Sequence, residues 1–141
     1  MCRARWIGVV VLLPLSLWGQ PADETAAAPS RSCASLRILT GYEFSVTTAT
    51  LTSAAGGVPE YCRVTGQILP EIRFEVNLPT SWNRRFYMSG NGGYAGEPLD
   101  SPMRARAREQ AVRAGFASAV SNTGHDAATE PLATFALNSQ K

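Results

Sequence analysis

The sequence predicts an α/β fold, and three observations carry it. Ile72, Phe74, Val76 and Leu78 alternate with Arg73, Glu75 and Asn77, the period of two of a strand with one apolar and one polar face. Residues 86–88 form a short apolar run that enters a glycine-rich loop, followed by a helical segment over 102–114. Residues 116–121 then return as a second short apolar strand. Strands followed by strand, glycine loop, helix and strand are the order in which an α/β sheet opens.

The chain has 141 residues, 45% hydrophobic and 17% charged, which fits one folded domain and argues against disorder, collagen or a coiled coil. Its first segment reads as a secretory leader. Arg3 and Arg5 give a basic start, and residues 6–18 are apolar but shorter than the roughly 20 residues a membrane-spanning helix needs. The leader is assigned to residues 1–19, with cleavage after Gly19 or as late as Ala28. The chain is therefore expected to be secreted or periplasmic, without stable membrane association once the leader is cut. A retained N-terminal anchor is the alternative. Of the 13 Lys and Arg, two lie in this leader; without them the 11 acidic residues are balanced and the net charge of +2 falls to zero.

Export also governs the cysteines. Cys2 leaves with the leader, so Cys33 and Cys62 remain as an even pair in an oxidising compartment. A bridge between them would stabilise by roughly 3–4 kcal/mol on the chain-entropy argument. Two buried free thiols are the other reading. No CxxC or histidine cluster supports a metal site.

Residues 20–32 are rich in Ala, Pro, Ser and acidic side chains, without periodicity, and read as a flexible linker before an ordered part at 33–141. Residues 45–51 carry the β-branched content of a strand, which Gly56, Gly57 and Pro59 break. Residues 63–68 form the next strand, and Leu69 and Pro70 separate it from the alternating strand at 72–78. Pro79 stops that strand and residues 82–85 turn. Pro102 suits a first helical turn, and Gly115 sits where a helix stops. Arg104, Arg106, Arg108 and Arg113 on this helix read as a solvated face. With no aromatic platform beside them, they do not point to nucleic acid.

The loop at 89–96, Ser-Gly-Asn-Gly-Gly-Tyr-Ala-Gly, holds the chemistry that spacing alone suggests. Glycine lets backbone N–H groups converge on an anion, either a phosphate or the oxyanion of acyl transfer. The loop matches neither G-x-x-x-x-G-K-[ST] nor G-x-G-x-x-G, which disfavours phosphate. A plain tight turn is the remaining use.

Five blocks occur in one order: residues 69–79, Trp82 with Asn83, residues 90–96, residues 114–117 and residues 122–127. Together they resemble the N-terminal portion of the tannase/feruloyl esterase family of α/β-hydrolases, over about residues 33–141. The resemblance implies a serine carboxylic-ester hydrolase acting on small aromatic esters such as feruloyl or galloyl esters. It implies the N-terminal part of an α/β-hydrolase sheet, incomplete here, with a lid domain inserted later that often carries calcium. No cofactor is expected in this stretch. The resemblance gives Gly92 and Gly93 as donors to the ester oxyanion, and its early disulfide corresponds to Cys33 and Cys62.

The same family places its nucleophile in a G-C-S-x-G-G elbow, and the 141 residues contain no G-x-S-x-G. His125, next to Asp126, could be taken for a general base. Sequence neighbours seldom pair in that way, so a structural or pocket-lining role is expected for both. The expectation is a secreted esterase fragment, inactive alone; a non-catalytic secreted module binding phenolic or aromatic-ester ligands is the alternative.

Overall fold

The computed structural model describes residues 26–130 and 132–138. The leader assigned to 1–19 lies outside the described residues. Five strands form one mixed sheet: β1 (Phe44–Thr52), β2 (Tyr61–Ile68), β3 (Ile72–Pro79), β4 (Phe86–Met88) and β5 (Ala117–Ser121), in the order β1-β2-β3-β5-β4. The first three make an antiparallel meander, β5 pairs antiparallel with β3, and β4 runs parallel to β5. Helix α1 (Pro102–Arg113) is the crossover between those two parallel strands, the connection that parallel pairing requires. Each strand and the helix fall within two residues of the sequence expectation. Short 3-10 helices at Cys33–Ile38 and Thr134–Leu137, which lack a periodic signal, complete the described elements.

The two faces of β3 are used in an order that alternation alone does not reveal. Glu75 and Asn77, on the polar face, are each only 1% exposed, whereas Ile72, Phe74, Val76 and Leu78 are half-buried. Helix α1 covers the polar face. Glu75 accepts from Arg63 Nε (2.8 Å) on one side and from Arg108 Nη1 (2.9 Å) and Asn77 Nδ2 (3.0 Å) on the other. A carboxylate can be buried when charged donors fill its lone pairs. Arg108 and Arg104 therefore do not belong to a solvated face, while Arg106 and Arg113 are exposed.

On the opposite face, Leu51, Cys62 and Leu78 lie side by side across three strands. The Cys33–Ile38 helix packs there, joined to β2 by the Cys33–Cys62 disulfide, whose Cα atoms are 5.5 Å apart. Within its described part the segment read as a linker forms an isolated bridge to the turn after β3: Ala27 N–H donates to Trp82 O at 2.7 Å.

Both ends of α1 are fixed by local chemistry. Ser101 caps its N-terminus through Arg104 N–H, and Pro102 occupies the first turn. At the other end Gly115 adopts φ +75°, and Asn83 donates from its side chain to Ala114 O at 2.7 Å and from its backbone to Gly115 O at 2.9 Å. The Trp82–Asn83 turn thus terminates the helix as well as reversing the chain.

Candidate functional site

Because β4 and β5 are parallel, the loop after β4 and the turn after β5 emerge at the same end of the sheet. In open α/β sheets, this carboxyl end is where ligands bind. Residues 89–96 and 122–126 therefore share one edge, with the start of the antiparallel β3 beside them.

The glycine loop is tied at both ends. Ser89 N–H continues the ladder to Ala119 O at 3.1 Å, and Asn91 Nδ2 donates to Ser121 O at 3.1 Å. Arg104, 5% exposed, reaches back from the first turn of α1. Its Nη1 donates to Gly90 O at 3.1 Å, and its Nη2 donates to Asn91 Oδ1 and to Glu97 Oε2. Between these anchors Ala95 N–H closes a turn onto Gly92 O at 2.9 Å. Gly93 lies at φ +57°, and among the described residues neither Gly92 N–H nor Gly93 N–H donates to a backbone or side-chain acceptor. A Cβ on either glycine would meet nothing within 4 Å, so this side of the loop is open.

His125 stands behind the loop, not in front of it. It is 3% exposed, its ring stacks on Phe135 with centroids 4.5 Å apart, and a Cβ on Gly96 would lie 2.5 Å from its Nε2. Gly96 (φ +80°) is therefore the residue that lets the loop descend onto the imidazole. Asp126 turns away from that ring. Its Oδ1 accepts Ala128 N–H at 3.0 Å and its Oδ2 pairs with Arg73 Nη2 at 2.9 Å. The Ala128 N–H, then the Arg73 guanidinium, hold its carboxyl below the ordinary carboxylate value.

Asn122 fixes this turn. It is 2% exposed, accepts from Arg73 N–H (2.8 Å) and Gly124 N–H (3.2 Å), and donates to His125 O (2.9 Å) and Glu71 O (3.4 Å). A polar cleft of about 440 Å³ opens between Glu71, Arg73, Asn122, His125 and Asp126. A second, apolar cleft of about 550 Å³ lies at the other end of the sheet, against Cys33, Leu36, Cys62 and Leu78. Size favours the apolar cleft, but the unpaired N–H groups and parallel strand ends place the candidate chemistry at the glycine loop.

Sequence reasoning missed Arg104. One signal was available: a cation in the first turn of a helix opposes the helix dipole. Such a placement calls for an anion nearby, and Glu97 supplies it. Under the helix, burial pulls the Arg108 guanidinium down, but the Glu75 carboxylate and then Tyr61 together outweigh this and hold it above its ordinary value.

A donor loop and a polar turn at the shared end of two parallel strands, bridged by a helix, define the chain as a partial α/β-hydrolase-like fold. A solved esterase from Aspergillus oryzae superposes on it with a TM-score of 0.52 at 19% identity, over 67% of this chain and 22% of that one. The family model for tannase and feruloyl esterase matches residues 54–141, and the chain belongs to that family of ester hydrolases. It is 33% identical over 91 residues to an uncharacterized esterase of Agrobacterium fabrum, covering 57% of this chain and 16% of the relative. It is 31% identical over 89 residues to the mono(2-hydroxyethyl) terephthalate hydrolase of Piscinibacter sakaiensis, covering 55% and 15%. The chain thus spans a small fraction of the length of these relatives. Among the described residues no group of three or more His, Cys, Asp and Glu side chains is placed to hold a metal ion.

Proposed function

We propose that this chain supplies the oxyanion-binding section of an exported carboxylic-ester hydrolase that acts on small aromatic esters through a seryl nucleophile. One observation carries the reading. The Gly92 and Gly93 N–H groups have no acceptor among the described residues, and they sit on an anchored loop at the carboxyl end of β4 in a chain of an ester-hydrolase family. Gly92 has no left-handed φ, and a Cβ there would meet nothing, so the chain's own sterics do not require glycine at that position. Close approach by an ester carbonyl would.

As the tetrahedral intermediate forms, negative charge gathers on the former carbonyl oxygen. N–H groups already fixed toward it stabilise that charge without reorganising. The nucleophile and its base are assigned to residues other than these 141, since no G-x-S-x-G occurs here. His125 is assigned to supporting the loop, because its ring is enclosed by Gly96 and Phe135. The aromatic substrate class is supported by the family and by the relative named for a terephthalate ester. Export is supported by the leader pattern and by the Cys33–Cys62 bridge, which persists in oxidising compartments.

The test has two arms. Translation of the DNA past the Lys141 codon should reveal a G-C-S-x-G-G segment; a long open frame without one removes the reading. The polypeptide carrying that segment should hydrolyse methyl ferulate or methyl gallate faster than an aliphatic methyl ester. Gly92→Pro, which deletes one donor, should lower its kcat by about 10²–10³-fold. The 141-residue chain should bind such esters without turnover at most.

A further inference from the structure

We propose that Arg104 is the positioning residue of the glycine loop, setting the direction of the Gly92 and Gly93 N–H groups although it touches neither. The geometry is that of a clamp. One guanidinium holds the loop's entry through Gly90 O and Asn91 Oδ1, and its exit through the Glu97 carboxylate. Asn91 passes the constraint to β5 through Ser121 O, so the loop is referenced to the sheet as well as to α1.

Three features separate this from ordinary helix packing. Arg104 sits where a cation opposes the helix dipole, so burying it there is unfavourable unless its partners offset the cost. Glu97 neutralises it, and the planar fork spans three acceptors that a lysine could not reach together. Arg108, one turn further along the same helix, already docks α1 on the sheet through Glu75. Arg104 is therefore not needed to hold the helix down, and among the described residues its side chain donates to the loop and to Glu97, the residue that follows it.

The inference deepens the oxyanion reading and rests on it for its purpose, but its test needs no ester. In the ¹⁵N-labelled 141-residue chain, the heteronuclear NOE of Gly92 and Gly93 reports loop order, and exchange of the Ala95 amide reports the turn onto Gly92 O. Arg104→Met should lower both NOEs and speed Ala95 exchange about tenfold or more, while Val64 and Val76 amides in β2 and β3 change little. Free guanidinium ion, well below denaturing concentration, should restore the loop in Arg104→Met. Arg108→Met should loosen α1 without this selectivity. Unchanged loop order in Arg104→Met overturns the proposal, as does loosening of loop and sheet in the same proportion in both variants. If Arg104→Met fails to fold, Glu97→Gln and Asn91→Ala take its place: loop-selective loosening supports the clamp, and an unmoved loop overturns it. Ester hydrolysis enters none of these readouts, so a missing esterase activity would remove the functional reading and leave the clamp standing.

Discussion

Asn122 shows how much one buried side chain organises at the candidate site. Its oxygen serves two backbone N–H groups and its nitrogen serves two carbonyls, linking the start of β3 to the turn that carries His125. Asn122→Asp preserves shape and the acceptor but removes both N–H donors, leaving the His125 and Glu71 carbonyls facing a carboxylate. The expected loss is about 2–3 kcal/mol of unfolding free energy in a urea titration, from unsatisfied buried groups; a loss below experimental error would show that water replaces the amide. Asp126 makes a pH prediction. Its folded pKa lies below the ordinary value of 3.8, so its bonds to Ala128 N–H and Arg73 contribute stability above that value. The contribution disappears as pH falls through the lowered folded value. A carboxyl ¹³C titration should show the depressed midpoint, and Arg73→Ala should move it part of the way back; an unmoved midpoint would remove Arg73 as a cause. Residue-scale roles of this kind were the least legible in the sequence. Gly92, Gly93 and His125 could be named from their motifs, but that His125 lies behind Gly96 depends on two loops meeting in space. The burial of Arg104 depends on Glu97 and Asn91 folding toward it.

The elements themselves were legible because each carries a local cause: β-branched residues in β1, strict alternation in β3, and Pro102 and Gly115 at the ends of α1. Alternation says that a strand has two faces, but it does not say which one a helix will cover. Here α1 lies on the polar one, since Arg108 from the helix and Arg63 from β2 converge on Glu75. The consequence is an ordered pair of mutants. Glu75→Gln leaves two guanidinium groups facing a neutral amide, so it should cost about 3 kcal/mol, near the lower end for breaking a buried pair because Arg63 is partly solvated. Arg108→Met leaves Glu75 paired with Arg63 and adds apolar packing against the sheet, so it should cost about 1 kcal/mol. Chemical denaturation of the two variants checks the order. Equal losses would mean that the Arg63 pair contributes nothing, and a larger loss for Arg108→Met would contradict the assignment of Glu75 as the centre of the cluster.

For the whole molecule, the sheet is unequal across its width. β2 is paired on both sides, in register with eight residues of β1 and eight of β3, and is tied by Cys62 to a residue 29 positions away. β4 has three residues, one strand neighbour, and Phe86, Tyr87 and Met88 all exposed. Local opening free energy follows buried contact and the number of ladders that must break together. β2 amides should therefore exchange only through global unfolding, and the Ser89 amide, which extends the β4 ladder to Ala119 O, through a small local opening. Three observables follow in native-state hydrogen exchange. Val64 and Val76 should be the slow group, with rates that rise steeply in low denaturant. Ser89 should exchange faster, with little denaturant dependence. Reducing Cys33–Cys62 should accelerate Val64 by the cost of the bridge, about 3–4 kcal/mol or roughly 150- to 900-fold, and leave Ser89 almost unchanged. The parallel edge, and with it the glycine loop, would then be a less stable unit carried on a disulfide-anchored antiparallel meander. If Ser89 instead shares the protection, denaturant slope and disulfide dependence of Val64, the sheet unfolds as one cooperative body and the loop inherits the full stability of the fold.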